Sequence, residues 1–271
     1  MAPSQNRGIF ISKMKTKDCD YGVLDGRKPD CKAIPMKLEA VIVCDRYADF
    51  LAHTLPENKI LFDRMVVVTS HEDKETQRVC EYWHVKCLQT DVLESRKGKF
   101  CKGAGINAGL AELDRAGWVV HMDADIALPP LTRILIEGAD LDKSFLYGCD
   151  RVMCRSFDDW VKFRTKPRLQ HENQVWMHMD QFPFGHRVAI NSYGGYIPVG
   201  FFQMWSPSVS GITAYPEGHN TAAREDTDFA LKWARSKRAL IPEVIAYHLE
   251  SEKAAMAANW AGRQTKPFGP G

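Results

Sequence analysis

Three nearly unbroken aliphatic runs, Leu38–Cys44, Arg64–Ser70 and Gly117–Met122, each give way to polar residues, and this pattern most narrows the possible folds. A strand without polar alternation has no solvent face and must be covered on both sides, as in a parallel sheet between helical layers. The intervening segments supply the layers. Tyr47, Phe50, Leu51 and Leu55 recur at helical spacing, and Asp73 to Trp83 reads as a helix with Ser70 or Asp73 as its cap. The glycines of KGAG introduce a helix over 103–116, and His84–Leu88 reads as another buried strand. The fold class expected is α/β, a Rossmann-type, mostly parallel sheet with helices on both faces.

Beyond Pro130 the pattern predicts a helix at 131–138 and a strand at 144–149, then a basic, aromatic stretch from 151 to about 193. A strand over Gly195–Trp205, a helix at 224–235 and a last strand, Leu240–His248, follow. Residues 1–36 are polar and without period, and read as an N-terminal extension; 37–271 reads as a single domain. A net charge of +2 is too small for a global field that would imply a polyanionic partner. No run approaches the ~18 apolar residues of a membrane span, and the N-terminus shows no secretion signal. Cysteines inside strand-like runs (Cys44, Cys87, Cys149) fit reduced thiols, so a cytoplasmic location is expected.

Ligands of open α/β sheets bind beyond the carboxyl ends of the strands. Asp45, Thr69, Ser70, Asp91, Asp123 and Asp125 all stand there, and Asp73 follows closely. Two carboxylates two residues apart at a strand mouth point to the same side if the extended geometry continues. Such a pair calls for a cation between them or a proton on one. Mn²⁺ or Mg²⁺ is served by few protein carboxylates, with phosphate oxygens completing the shell. Solvated aspartates at a strand exit are the plainer alternative. The segment Lys102-Gly-Ala-Gly-Ile-Asn107 opens a helix just before this strand, and its amides and Lys102 suit an anion. Close packing of small residues on the sheet would account for it equally.

The ordered combination resembles a GT-A glycosyltransferase, similar to family 2. The residues that carry it are the K-G-x-x-x-N-x-G segment, Asp123-Ala-Asp125 after an apolar strand, Gly195–Trp205, Arg224-Glu225-Asp226, and Ile245-Ala-Tyr-His248. The resemblance covers about 38–250 and implies a nucleotide-sugar half over about 37–130 and an acceptor half over about 131–250. It implies a metal-dependent transfer from a nucleotide-diphosphate sugar, a UDP-sugar foremost, to a hydroxyl. Asp123 would face ribose or metal, Asp125 would be the main metal ligand and His248 would complete the coordination. Asp45, Thr69, Ser70 and Asp73 would line the nucleoside pocket, with Lys102 and Asn107 beside the donor. An inverting transfer needs a general base, for which Glu225 and Asp226 are the candidates; acidic residues also simply suit a helix N-terminus.

For the acceptor, 151–168 holds Arg151, Arg155, Lys162, Arg164, Lys166 and Arg168 against Asp158 and Asp159, with Trp160 interleaved and Trp176 and Phe182 following. Trp160, Trp205 and Arg155 therefore become acceptor-side candidates. Aromatic platforms with cations suit a sugar or small molecule, or DNA with hydroxymethylated bases; a solvated loop is the plainer reading. Two other classes compete. A sugar nucleotidyltransferase usually carries a glycine-rich loop after the first strand, where this chain has Cys44-Asp-Arg-Tyr-Ala-Asp49. A non-catalytic nucleotide-sugar binding module would not need Asp123, Asp125 and His248 together.

Overall fold

The computed structural model describes residues 36–94, 100–165, 185–186, 196–219, 221–222, 224–251 and 265–270. They fall within one compact unit, Met36–Gly271. The expected extension, apart from Met36, lies outside the described residues, as do Lys166, Arg168, Trp176 and Phe182.

The first half is the expected alternation. Strands β1 (Leu38–Val43), β2 (Arg64–Thr69) and β3 (Lys86–Gln89) are separated by helices α1 (Ala48–Asn58) and α2 (Lys74–Tyr82). Helix α3 (Lys102–Ala111) leads into β4 (Trp118–Asp123), and β5 (Ile126–Ala127) and α4 (Thr132–Gly138) follow. In the second half come β6 (Leu146–Cys154), α5 (Phe157–Thr165), β7 (Gly185–His186), β8 (Phe202–Trp205), a short α6 (Pro207–Ser210), α7 (Glu225–Ala230) and β9 (Arg238–Leu249). They join in one nine-stranded sheet of order β3-β2-β1-β4-β8-β6-β9-β5, with β7 paired to β6.

β3, β2, β1 and β4 run parallel. The sheet is mixed beyond them, because β8 enters antiparallel between β4 and β6. Successive side chains of a strand point to opposite faces, and β1 shows the result. Leu38, Ala40 and Ile42 join Leu51, Leu55 and Met122 in one core cluster, whereas Val41 and Val43 join Ile106, Leu110, Trp205 and Phe229 in another. Burial on both faces is what the unbroken aliphatic runs require.

α3 sits unusually close to the sheet. A Cβ on Gly109 would lie 2.3 Å from Cγ2 of Val41 and 2.8 Å from Cγ2 of Val68, and one on Gly105 would lie 2.3 Å from Leu93. Close packing on the sheet thus accounts for glycine at 105 and 109.

Other expectations are corrected. β3 is a half-exposed edge strand rather than a buried one. Of Gly195–Trp205 only Phe202–Trp205 pairs as strand, and the helix expected to 235 stops at Ala230. β6 outruns its expected end because it pairs along β9 as far as Cys154 opposite Leu249. The start of the basic stretch is then helix α5, with Asp158 and Asp159 in its first turn and Lys162 and Arg164 in its last. That charge order suits the helix dipole and needs no ligand.

Gly109→Ala is expected to lower the unfolding free energy by about 1–3 kcal/mol through overpacking. Urea unfolding should show a lower midpoint at unchanged slope.

Candidate functional site

Segments from both halves of the chain meet at the carboxyl edge of β1, β2 and β4. Val43 lies opposite both Val68 and Asp123, so Asp45, Thr69–Ser70 and Asp123–Asp125 leave the sheet at one level. β8 brings its N-terminal end there, and the Asp123 amide donates to the Phe201 carbonyl at 3.3 Å. β9 sets His248 opposite Ile126, and the Leu249 amide donates to the Asp125 carbonyl at 2.8 Å. This short ladder places Nε2 of His248 3.3 Å from Oδ2 of Asp125.

Both carboxylates are largely withdrawn from water, with side-chain exposures of 29% for Asp123 and 20% for Asp125. Lys102, the first residue of α3, points its Nζ 2.5 Å from Oδ1 of Asp123 and 3.6 Å from Oε1 of Glu225. Burial raises the Asp123 carboxyl above the ordinary aspartate value; Lys102 opposes the rise and Asp125 adds to it. Asp125 ends below its ordinary value, because the His248 ring and Lys102 outweigh the effect of burial. Burial alone would depress Lys102, yet Asp123 and Glu225 hold its ammonium above the usual lysine value.

Asp125 Oδ1 is buried and accepts no hydrogen bond. A carboxylate oxygen left without a donor inside a protein is an opening for a cation. The oxygen donors therefore fit Mn²⁺ or Mg²⁺. Among the described residues, though, no three acidic, histidine or cysteine side chains already surround a common point. Asp123 is turned to Lys102, and His248 has a second neighbour, Arg151, whose Nη1 lies 2.8 Å from Nδ1. A guanidinium can only donate, so the ring accepts at Nδ1 and carries its hydrogen on Nε2, toward Asp125. Arg151 also stacks over Phe201 at 4.5 Å. Its role was not foreseen, although Asp150-Arg151 inside an otherwise apolar strand is a signal visible in the sequence.

The other expected positions divide clearly. Ser70 donates to Asp45 Oδ1 at 2.7 Å, and Thr69 is buried beside them. Asp73, expected both as a helix cap and as a pocket residue, is the cap of α2: it accepts from the Thr76 amide (3.0 Å), the Thr76 hydroxyl (2.6 Å) and the Arg46 amide (2.6 Å). Asn107 is corrected likewise. It donates to the Tyr215 carbonyl and Glu217 and accepts from the Tyr215 amide at 2.7 Å, fastening the 215–217 segment instead of facing a donor.

Asp226 accepts from the Gly200 and Thr227 amides, both at 2.6 Å. A Cβ on Gly200 would come within 2.9 Å of Asp226, so this approach needs glycine. Glu225 is buried, and neither carboxylate oxygen has a hydrogen-bond partner.

The acceptor aromatics are corrected too. Trp205 is fully buried against Phe229 and Tyr215, with its Nε1 donating to the Ile212 carbonyl at 2.9 Å. Trp160 is buried against Tyr247. Neither ring offers a stacking face to an acceptor; Trp176 and Phe182, also expected as platforms, lie outside the described residues. Arg155 is exposed in the turn between β6 and α5.

No family model and no curated protein matches the chain. Among solved structures it is similar to glucosyl-3-phosphoglycerate synthase from Mycobacterium tuberculosis in complex with uridine-diphosphate, at 13% identity and a TM-score of 0.48, covering 83% of this chain and 74% of that one. Mannosyl-3-phosphoglycerate synthase from Rubrobacter xylanophilus gives 13% and 0.44, covering 82% and 68%. A mycobacterial protein gives 13% and 0.43, covering 80% of this chain and 66% of that one, just under two thirds of its length. Likeness this slight carries no argument about activity, which rests on the site itself.

Trp205→Ala and Trp160→Ala should each cost about 3–5 kcal/mol of stability, read as a lower thermal midpoint. A variant that kept its midpoint but lost acceptor affinity would restore the acceptor role.

Proposed function

We propose that the chain is a GT-A glycosyltransferase that moves a sugar from a nucleoside-diphosphate sugar, a UDP-sugar foremost, to a hydroxyl acceptor with the help of Mn²⁺ or Mg²⁺. The observation that carries this reading is the convergence of Asp123, Asp125 and His248 at one strand edge, with an unpartnered Asp125 oxygen facing inward. In this reading Asp45, Thr69 and Ser70 line the cleft beyond β1 and β2 where the nucleoside lies. Asp123 and Asp125 hold the ion. His248 joins them from β9 once Arg151 no longer occupies Nδ1 and the ring can carry its hydrogen there. A bound divalent ion supplies neutralisation of the charge that develops on a departing diphosphate.

For a transfer with inversion, Asp226 takes the acceptor proton. Amides of Gly200 and Thr227 fix the orientation of its carboxylate; Oδ1 also accepts from the Thr227 hydroxyl, and Oδ2 keeps a lone pair for a substrate hydroxyl. Glu225 is too deeply buried to reach an acceptor.

Incubation with Mn²⁺ and a panel of nucleotide sugars should release the nucleoside diphosphate. Pyrophosphate release, or silence with every donor, would overturn the reading. Asp125→Asn should abolish the Mn²⁺-dependent rise in thermal midpoint that a donor produces by mass action. Asp226→Asn should lower kcat by about 10²–10⁴ while leaving that donor-induced rise in place.

A further inference from the structure

Glu225 is the anomaly of the site. Its carboxylate is 1% exposed, and neither oxygen accepts a hydrogen bond. Buried acidic groups are ordinarily paired or coordinated, because desolvation disfavours the bare charge. Among the described residues the cation paired with it is the Lys102 ammonium, at 3.6 Å from Oε1, beyond hydrogen-bond reach. Lys102 instead sits 2.5 Å from Asp123, one of the two carboxylates read as the metal site. A single ammonium thus stands between two acids, bonded to one and just short of the other.

This arrangement has a consequence for metal entry. A divalent ion on Asp123 Oδ1 would share that oxygen with the Lys102 ammonium, and the two cations repel at such range. Lys102 must yield, but it is itself buried, at 10% exposure, and cannot retreat to water with its charge unanswered. Its backbone cannot retreat either: at the next residue, Gly103, a Cβ would lie 2.1 Å from the Pro216 carbonyl oxygen, so the start of α3 is wedged against the 215–217 segment. Only the side chain can move, and Glu225, whose Oε1 lies 3.6 Å away, offers two oxygens without hydrogen bonds. Closing the gap from 3.6 Å to an ordinary charge-assisted bond of about 2.8 Å needs a small rotation of a flexible stem.

We propose that Lys102 is an internal cation that occupies Asp123 before metal binds, and that Glu225 is the berth that receives its ammonium when a divalent ion takes its place. Glu225 is therefore a positioning residue that acts on metal affinity through Lys102. In the exchange Asp123 trades a monovalent cation for a divalent one, and the buried lysine is paired at both ends of its movement. The inference rests on the reading of Asp123 and Asp125 as the metal site.

The test is Mn²⁺ binding to the full chain, measured by electron paramagnetic resonance of the free ion without donor or turnover. Wild type, Glu225→Gln, Lys102→Gln and the double variant form a cycle. Glu225→Gln removes the berth's charge and should weaken Mn²⁺ by about tenfold. In the Lys102→Gln background the same change should move affinity less than about twofold, because no ammonium remains to be received. Glu225→Asp, which keeps the charge but withdraws it by one methylene, should weaken binding in the same direction and serves if Glu225→Gln does not fold. Wild type that binds no Mn²⁺ would sink the metal site and the exchange together. Wild type that binds, with Glu225 variants unchanged, would sink the exchange alone. So would a weakening that persists in full without Lys102, which would mark Glu225 as a distant charge and nothing more.

Discussion

A carboxylate taken out of water has to be answered by a cation, and the edge of this sheet is organised by that requirement. Asp123 ends β4, a buried strand, and Asp125 sits in the turn to β5, tied to β9 through its carbonyl, so both are held at this edge. Three cationic or hydrogen-bonding side chains reach them from separate parts of the chain: Lys102 from the start of α3, His248 from β9, and Arg151 behind His248 from β6. Remove the acids and these groups would in turn be buried without partners. The site and the packing around it are therefore one electrostatic unit.

The scaffold beneath is correspondingly stiff. His121, two residues before Asp123, is fully buried with Nδ1 3.3 Å from the Tyr215 hydroxyl, which donates to Gln203 on β8. Gln203 donates in turn to the Pro198 and Asp226 carbonyls, at 2.7 and 2.9 Å. One polar chain thus links β4, β8, the 215–217 segment and the start of α7 below the acidic pair. Burial holds the His121 ring well below its ordinary value, which keeps it uncharged beneath Lys102. These bonds fix geometry more tightly than apolar packing alone, although Nε2 of His121 is buried without a partner.

The legible parts of the site were those whose chemistry is local. Asp123 and Asp125 could be read from their spacing after an apolar run, and Ser70 and Asp45 from their places after strands. Positions read as ligand-facing went astray where the same residue type also serves packing. Gly105 lets α3 approach Leu93 and Val43, Gly109 lets it approach Val41 and Val68, and Asn107 fastens a distant loop. Trp160 and Trp205 looked like platforms because aromatic rings beside cations resemble a binding surface. Their rings are instead large enough to fill the core under α5 and beside Phe229. Asp73 looked like a ligand because it follows a strand, yet the first turn of α2 uses its oxygens.

The sequence alone determined the α/β class, the parallel first half and the acidic pair, because hydrophobic period and residue spacing along a few neighbouring positions dictate them. Only the tertiary structure decided that β8 inserts antiparallel, that His248 lies against Asp125 with Arg151 on its other nitrogen, and that Glu225 lies buried beside Lys102. Those relations join residues far apart in the chain through sheet register, and no local pattern encodes which strand will lie beside which.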